Sequence, residues 1–305
     1  MEFLANPTFW FAVIRSMTPV LLTAMGASIA RKAGLVNLSH EGVMLVSALA
    51  GVMGSAYTGS LLAGMICGVF FAVAIELLMA YFTLILKSDI VITGVAINLA
   101  AAGGTVFVMY SAIQDRGVSA KLYSLSYPTV ELPFIKEIPF LGQILSGHNI
   151  LTYIAFLMII VVYIFIYKTT YGKKIRAVGQ SPEAAASVGI NVVKVQTVAF
   201  FLCGIFVAFG GMFLSMGYMT MFTANMTAGR GFIALAATNM AGGNPLGAFA
   251  GAFVYGFSYS LANYLQNANI FPLEAIMAFP YLFIVLVYAL FSWFDRRRNK
   301  ESQPF

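Results

Sequence analysis

Acid–base or ligand chemistry is conceivable at one short stretch, "VNLSHEG" (Val36 to Gly42), where Asn37, Ser39, His40 and Glu41 interrupt apolar sequence on both sides. An imidazole beside a carboxylate is a pairing that general acid–base catalysis uses. Adjacent helical residues point about 100° apart, however. The other histidine, His148, lies in a distant polar segment, so neither a two-histidine metal site nor a hydrolytic pair has the required spacing. No metal, no cofactor and no catalytic residue is expected. Cys67 and Cys203 sit inside apolar runs and read as packing residues. Arg15, Glu76 and Glu274 also fall within apolar runs, where an ionisable group costs ~2.5–3.5 kcal/mol on insertion scales. Arg15 and Glu274 lie near segment ends, from which a long side chain reaches the interface. Glu76 lies deeper, where helix tilt or a partner would relieve it, and the sequence names no partner. Asn98, Asn225, Asn239 and Asn244 supply amides that either bond between helices or offer donors and acceptors to a polar solute. The set suits passage of a solute better than turnover. The pathway candidates are Asn37, Ser39, His40, Glu41, Asn98 and Asn239.

The elements that position these groups follow from composition. Of 305 residues, 60% are hydrophobic and only 9% charged. Apolar runs of membrane-spanning length recur, and continuous rather than alternating hydrophobicity selects helices over a barrel. The expected fold is all-α, a polytopic transmembrane bundle of about 8–10 segments, some broken or re-entrant, in a single domain over 1–305. Nine apolar segments can be marked, near 9–30, 43–57, 61–86, 90–110, 150–167, 196–217, 231–241, 246–263 and 271–293. The first reads as a retained membrane segment because Glu2 stands where a signal peptide carries positive charge. The formal charge of +6 is confined to short segments flanking spans, so it reports orientation in a lipid membrane and excludes nucleic acid as a partner.

Segment 168–196 holds Lys168, Lys173, Lys174, Arg176 and Lys194 against the single acid Glu183, and the tail 294–305 holds Arg296, Arg297, Arg298 and Lys300. Both are expected on the cytoplasmic side. Segment 111–149 balances its charges, carries Pro128, Pro133 and Pro139, and is expected outside. Counting back places the N-terminus outside as well. For "VNLSHEG" two readings stand. It is a cytoplasmic turn with Ser39 capping the next helix, or a broken helix whose polar groups line a path through the membrane. The stretches "SALAGVMGSAYTGSLLAG" and "NMAGGNPLGAFAGAFVYG" echo one another weakly, too compositionally to establish a repeat.

Within the basic segment lies a water-loving helix. Ser181 is a good N-cap, Pro182 suits the first helical position, Glu183 complements the helix dipole, Ala184 and Ala185 favour helix, and Gly189 ends it. At about two turns it is too short to be stable alone, so it rests on the membrane surface or docks a partner. "EAAASVG" (Glu183 to Gly189) resembles the EAA loop of ABC-transporter permeases, although the Ile-x-Leu-Pro element of the maltose-type branch is absent downstream. With "AGLVNLSHEGVML" (Ala33 to Leu45), "GKKIRAVGQSPEAAASVGI" (Gly172 to Ile190) and "GRGFIALAA" (Gly229 to Ala237), the chain resembles importer permeases for simple sugars, nucleosides and branched-chain amino acids. It is most similar to the shorter permease of bacterial nucleoside importers.

That resemblance implies a multi-pass protein of the bacterial plasma (inner) membrane. It would pair with a second permease, dock cytoplasmic ATP-binding subunits through Ser181, Pro182, Glu183, Ala184, Ala185 and Gly189, and receive cargo from an extracytoplasmic binding protein. No G-x-x-x-x-G-K-[ST] phosphate loop occurs in the chain, so ATP hydrolysis is expected on another subunit. Neutral amides and hydroxyls, with no cluster of buried charge for a phosphate or carboxylate, suit a nucleoside or a simple sugar such as ribose. The resemblance selects nucleosides. The alternative from another class is an ion-coupled secondary transporter, which would carry paired intramembrane carboxylates and need no docking helix.

Overall fold

The computed structural model describes residues 6–133, 138, 140–267, 282, 283 and 286. The expected span 271–293, Glu274 and the tail 294–305 therefore lie almost wholly outside the described residues. Eleven helices follow one another in the described part: α1 (Pro7–Lys32), α2 (His40–Thr58), α3 (Leu61–Ala80), α4 (Ile90–Ile113), α5 (Leu141–Leu145), α6 (Ile150–Lys168), α7 (Thr170–Gln180), α8 (Pro182–Ser187), α9 (Val192–Met212), α10 (Arg230–Met240) and α11 (Pro245–Asn267). Two of them continue as π-helix, α3 through Tyr81–Ile85 and α9 through Phe213–Tyr218. A two-stranded ribbon pairs β1 (Thr129–Val130) with β2 (His148–Asn149) inside the 111–149 segment.

Local chemistry sets the boundaries. Asn6 accepts from the Thr8 amide with Pro7 at the first position of α1. Asp89 accepts from the Val91 and Ile92 amides at the start of α4, Asn149 from Leu151 at α6, and Asn191 from Lys194 at α9. Five helices, three of them with a strongly apolar exterior, are long and apolar enough to cross a membrane. On α3 the outward stripe Leu62, Ile66 and Phe70 is 64%, 61% and 64% exposed. One face of apolar side chains at helical spacing, turned out rather than in, is suited to lipid and not to water. By contrast α1 is 78% buried over its apolar window and forms the axis of the bundle.

Two three-helix units share one course. In the first, α1 leads to irregular residues 33–39, the shorter α2, a tight turn and the long α3. In the second, α9 leads to irregular residues 219–229, the short α10, a tight turn and the long α11. Both short helices begin halfway through the bundle. His40, first residue of α2, meets Cys203 in the middle of α9, and the start of α10 meets Glu41. They then run to opposite ends. Near the C-terminus of α2, Ser55 accepts from the Leu125 amide in the 111–149 segment. Past the C-terminus of α10, Gly243 lies against the side chains of Arg31 and Lys32. This is an inverted arrangement of discontinuous helices, which membrane proteins adopt where irregular backbone is enclosed by protein. The two weakly similar stretches of sequence fall on its matching turns, α2 to α3 and α10 to α11. The central crossing of α1 and α9 is close: a side-chain carbon on Gly26 would lie 2.8 Å from the Cys203 carbonyl oxygen.

Candidate functional site

The basic segment folds into two short helices joined at Ser181. α7 buries Ile175 and Val178 and exposes Lys173 and Lys174. In α8, Ser181 accepts from the Ala184 amide, and the helix closes through Gly189 N to Ala186 O at 3.0 Å and Ile190 N to Ala185 O at 3.1 Å. Gly189 takes φ +82°, a left-handed conformation that favours glycine. Only Ala185 is buried. Pro182, Glu183, Ala184, Ala186, Ser187 and Val188 all face outward, Val188 at 74% exposure. A six-residue helix anchored by one alanine, with a valine left in the open, is built to be covered by something else.

A rigid bridge links this surface to the middle of the bundle. At the end of α7, a side-chain carbon on Gly179 would run into the Lys32 carbonyl, and one on Gly34 (φ +83°) would lie 3.2 Å from the Gly179 Cα. Backbone therefore meets backbone with no side chain between. Gln196 donates to the Ala33 carbonyl at 3.3 Å, while Lys32 and Arg176 both lie over the Tyr167 ring, at 5.7 and 5.3 Å from its centre. From Gly34 the chain passes directly into Asn37, Ser39 and His40.

Those three residues are fully buried. Asn37 Nδ2 donates to Glu76 Oε2 at 2.7 Å. Ser39 Oγ donates to Asn37 Oδ1 at 2.8 Å, with Glu76 Oε1 3.3 Å away. Ser39 precedes α2 but makes no side-chain capping bond, because its hydroxyl is spent on this knot. Depth thus favours the broken-helix reading over the surface turn. Glu76, without a nameable partner in the sequence, is held by two residues that precede it by 39 and 37 positions. His40 Nε2 lies 3.3 Å from Cys203 Sγ. The ligand-type atoms of His40, Glu76 and Cys203 come within 4.8 Å of one another. Both Glu76 oxygens are already engaged, so a metal ion would have to displace the bonds to Asn37 and Ser39.

Glu41 faces the other way. Its carboxylate accepts from Gly229 N at 2.7 Å and Gly231 N at 2.8 Å, at the amino end of α10. Two charge-assisted bonds at a helix N-terminus, where the dipole favours an anion, lock the two short helices together. Asn98 clamps the same joint from α4, accepting from Gly42 N and donating to the Leu38 carbonyl, each at 2.8 Å. Asn239 stands apart near the far end of α10, its Oδ1 buried without a hydrogen-bond partner among the described residues. Asn244 caps α11 through the Leu246 amide, and Asn225 occupies a positive-φ turn. His148 is pinned by the Ile144 carbonyl at 2.8 Å and stacked 3.9 Å from the Phe11 ring.

A group of which the sequence marks only Arg15 surrounds a cavity of about 230 Å³ between α1, the π-helical end of α9, α10 and α11. Arg15 Nη2 donates to the Tyr218 hydroxyl at 3.3 Å, with the guanidinium carbon 4.4 Å from the ring centre. Arg230 donates to the carbonyls of Met226 and Thr227, and its guanidinium lies 5.3 Å from the Tyr259 ring centre. Arg15 is exposed and meets an equally exposed Tyr218 at the mouth of the cavity, which Arg230 also lines. A hint was present in the positions of Arg15 and Arg230 within apolar surroundings, but nothing local pairs residues so far apart in the chain.

With the discontinuous helices, the lipid-suited exterior and the exposed α8 in view, the comparison with known proteins is decisive. The family model described as branched-chain amino acid transport system / permease component matches residues 9–290. The chain belongs to this permease family. Permeases of this kind are transport components, not enzymes, and the chain is a multi-pass membrane protein of an ABC transporter. It is 31% identical over 282 residues to the guanosine ABC transporter permease protein NupQ of Bacillus subtilis, covering 88% of this chain and 86% of that one. It is 32% identical over 259 residues to TsgC13 of Haloferax volcanii, provisionally named a glucose ABC transporter permease, covering 85% and 78%. A solved ABC transporter in an inward-facing conformation shares the fold, with a TM-score of 0.50 at 18% identity over 93% of this chain and 85% of that one.

Proposed function

We propose that this permease carries nucleosides inward through a bacterial plasma membrane, driven by ATP-binding subunits that seat on α8. Segments 168–196 and 294–305 then face the cytoplasm and 111–149 faces outward, where a binding protein delivers cargo. A second permease subunit completes the pathway. The observation that carries this reading is the uncovered α8 joined by backbone contact, Gly179 to Gly34, to the chain that enters α2.

The mechanics follow from that contact. Movement of α8 by a motor subunit carries α7, which has no soft side chain at Gly179 to absorb it. The push passes into residues 35–39 and the start of α2, which is tied to α10 by Glu41. Because α2 and α10 end at opposite ends of the bundle, rocking of their shared joint alters both ends at once. Alternating access requires that relation.

The cargo assignment draws on the relative named for guanosine. The one named for glucose keeps a sugar as the second reading. Uptake of labelled guanosine, uridine, ribose and leucine in cells with and without this gene, its neighbouring subunits present, decides between them. Nucleoside uptake is expected to vanish without the gene and to require ATP rather than an ion gradient; loss confined to ribose would establish the sugar. Orientation is tested by labelling Ser181→Cys and Ser126→Cys with an impermeant reagent. The first is expected to react only from the cytoplasm and the second only from outside, and same-side labelling of both would overturn the topology.

A further inference from the structure

At the end of the bundle that carries α7 and α8, two cations are held in a built position. Lys32, in the last turn of α1, and Arg176, in the middle of α7, are far apart in the chain and meet at the ring of Tyr167, near the end of α6. Both are half-buried, and among the described residues neither has an ion pair or a side-chain hydrogen bond. Arg176 Nε is buried without a partner. The acids described at this end are Asp89, whose carboxylate caps α4, and Glu183, exposed on α8. A ring attracts each cation modestly, whereas like charges drawn to one ring repel and a half-buried ion without a counter-ion is costly. Such a pair calls for an anion.

The outer face of α6 identifies its source. Leu157, Ile160, Val161 and Ile164 are exposed at helical spacing, a stripe suited to lipid, and the next position on that stripe is the exposed Lys168. An acyl chain lying along the stripe brings its phosphate to the level of Lys168, beside Tyr167. Tyrosine is enriched at that depth, the boundary of membrane and water. Lys173 and Lys174 are exposed on α7, and orientation in the membrane accounts for them. It does not account for Lys32 and Arg176, which converge on one ring from separate elements. A guanidinium fork pairs with phosphate oxygens bidentately. We propose that Lys32, Tyr167, Lys168 and Arg176 form a site for the phosphate of an anionic phospholipid in the leaflet beside α7. Arg176 stands three residues before Gly179 and Lys32 two before Gly34, so the headgroup pins α7 to α1 where their backbones touch. The proposal rests on the coupling role of α7 and α8 given above and adds the lipid that holds them in register.

The complete importer, purified in detergent and stripped of lipid, is titrated with phosphatidylglycerol or phosphatidylcholine of the same acyl chains, and bound lipid is counted by native mass spectrometry. Phosphatidylglycerol is expected to bind the more tightly. Lys32→Gln and Arg176→Gln are each expected to weaken it about fivefold, and the double variant Lys173→Gln, Lys174→Gln by no more than about twofold. If Arg176→Gln fails to assemble, Tyr167→Leu replaces it with the same expected loss. Equal binding of the two lipids, or an equal loss in the Lys173 and Lys174 variant, would overturn the proposal. So would competition by glycerol phosphate at the lipid's own concentration, which assigns the site to a soluble phosphate. Binding only after the ATP-binding subunits are removed would overturn it too, in favour of an acidic group on those subunits. ATP-dependent guanosine uptake in phosphatidylcholine vesicles with and without phosphatidylglycerol separates the two levels. Uptake without selective lipid binding removes the site and leaves the permease reading, while selective binding with no ATP-dependent uptake in either vesicle removes the coupling role and leaves the site.

Discussion

The unit α1–α3 and the unit α9–α11 follow the same course in opposite directions, yet their centres are filled differently. Where α2 begins, His40 is buried against Cys203, and Asn37, Ser39 and Glu76 close the space with hydrogen bonds. Where α10 begins, Arg230 is half-buried beside an open cavity framed by Arg15, Tyr218 and Tyr259. Short polar side chains, bonded to one another except at His40 Nδ1, make a stiff joint. Long cationic and aromatic ones hold the walls apart. The stiff joint adjoins α7 and α8, and the open one adjoins the 111–149 segment. Under the proposed mechanism the closed, stiff unit is the one that takes the push from α8.

The largest effect is expected at the bridge into the stiff unit. Gly179→Leu places a side chain into the Lys32 carbonyl, and overpacking of this kind costs ~1–3 kcal/mol where the structure does not yield. Guanosine uptake should fall about tenfold or more while the ATP-binding subunits, still seated on α8, continue to hydrolyse ATP, each ~1.4 kcal/mol of lost coupling being tenfold. Parallel loss of ATPase would place the bridge's role in assembly instead. Next comes the tie between units. Glu41→Ala removes two bonds to the α10 amides, each worth ~1.5–3 kcal/mol for a charged acceptor. Thermal unfolding of the purified complex should shift down by several degrees, with Glu41→Gln intermediate; an unshifted midpoint would mean that the two units are joined elsewhere.

Glu183→Lys reverses charge on the exposed face of α8 and should reduce uptake severalfold with membrane insertion intact, measured as surface-labelled protein. Normal uptake by the double variant with Gly189→Leu would remove α8 from the coupling. The smallest effect is expected at Cys203→Ser. The hydroxyl can still meet His40, so uptake should stay within about twofold, a neutral hydrogen bond being worth only ~1 kcal/mol. A large loss there would show the closed unit to be less saturated than its bonds indicate.

Much of this was legible in the sequence because hydropathy and capping are local. The segments near 61–86, 90–110 and 150–167 match helices that end within three residues of those limits. Ser181, Pro182 and Gly189 mark α8 from cap to stop, as their chemistry requires. The site was legible only in part. Asn37, Ser39 and Glu41 stood out as a polar break, but their depth is set by Glu76, Cys203 and the α10 amides, none of which is near in sequence. Asn98 stands out as a polar group in an apolar run, but its bonds to Leu38 and Gly42, about sixty positions away, have no local signature. The pairing of Arg15 with Tyr218, 203 positions apart, has no local signature at all.

The π-helical end of α9 bears on how the open unit places its tyrosine at the cavity mouth. A π turn holds one more residue than an α turn of the same height, and such turns recur at functional sites. Residues 213–218 thus behave as a spliced-in notch in the screw thread of α9. Removing one residue there, for example Ser215, would turn the notch back into an α turn, so the chain beyond it would keep its course and only the side chains inside the notch would change direction. The Gly26 crossing below would stay in place. A single deletion would then redraw the cavity wall at Phe213 and Leu214 and leave the bundle standing.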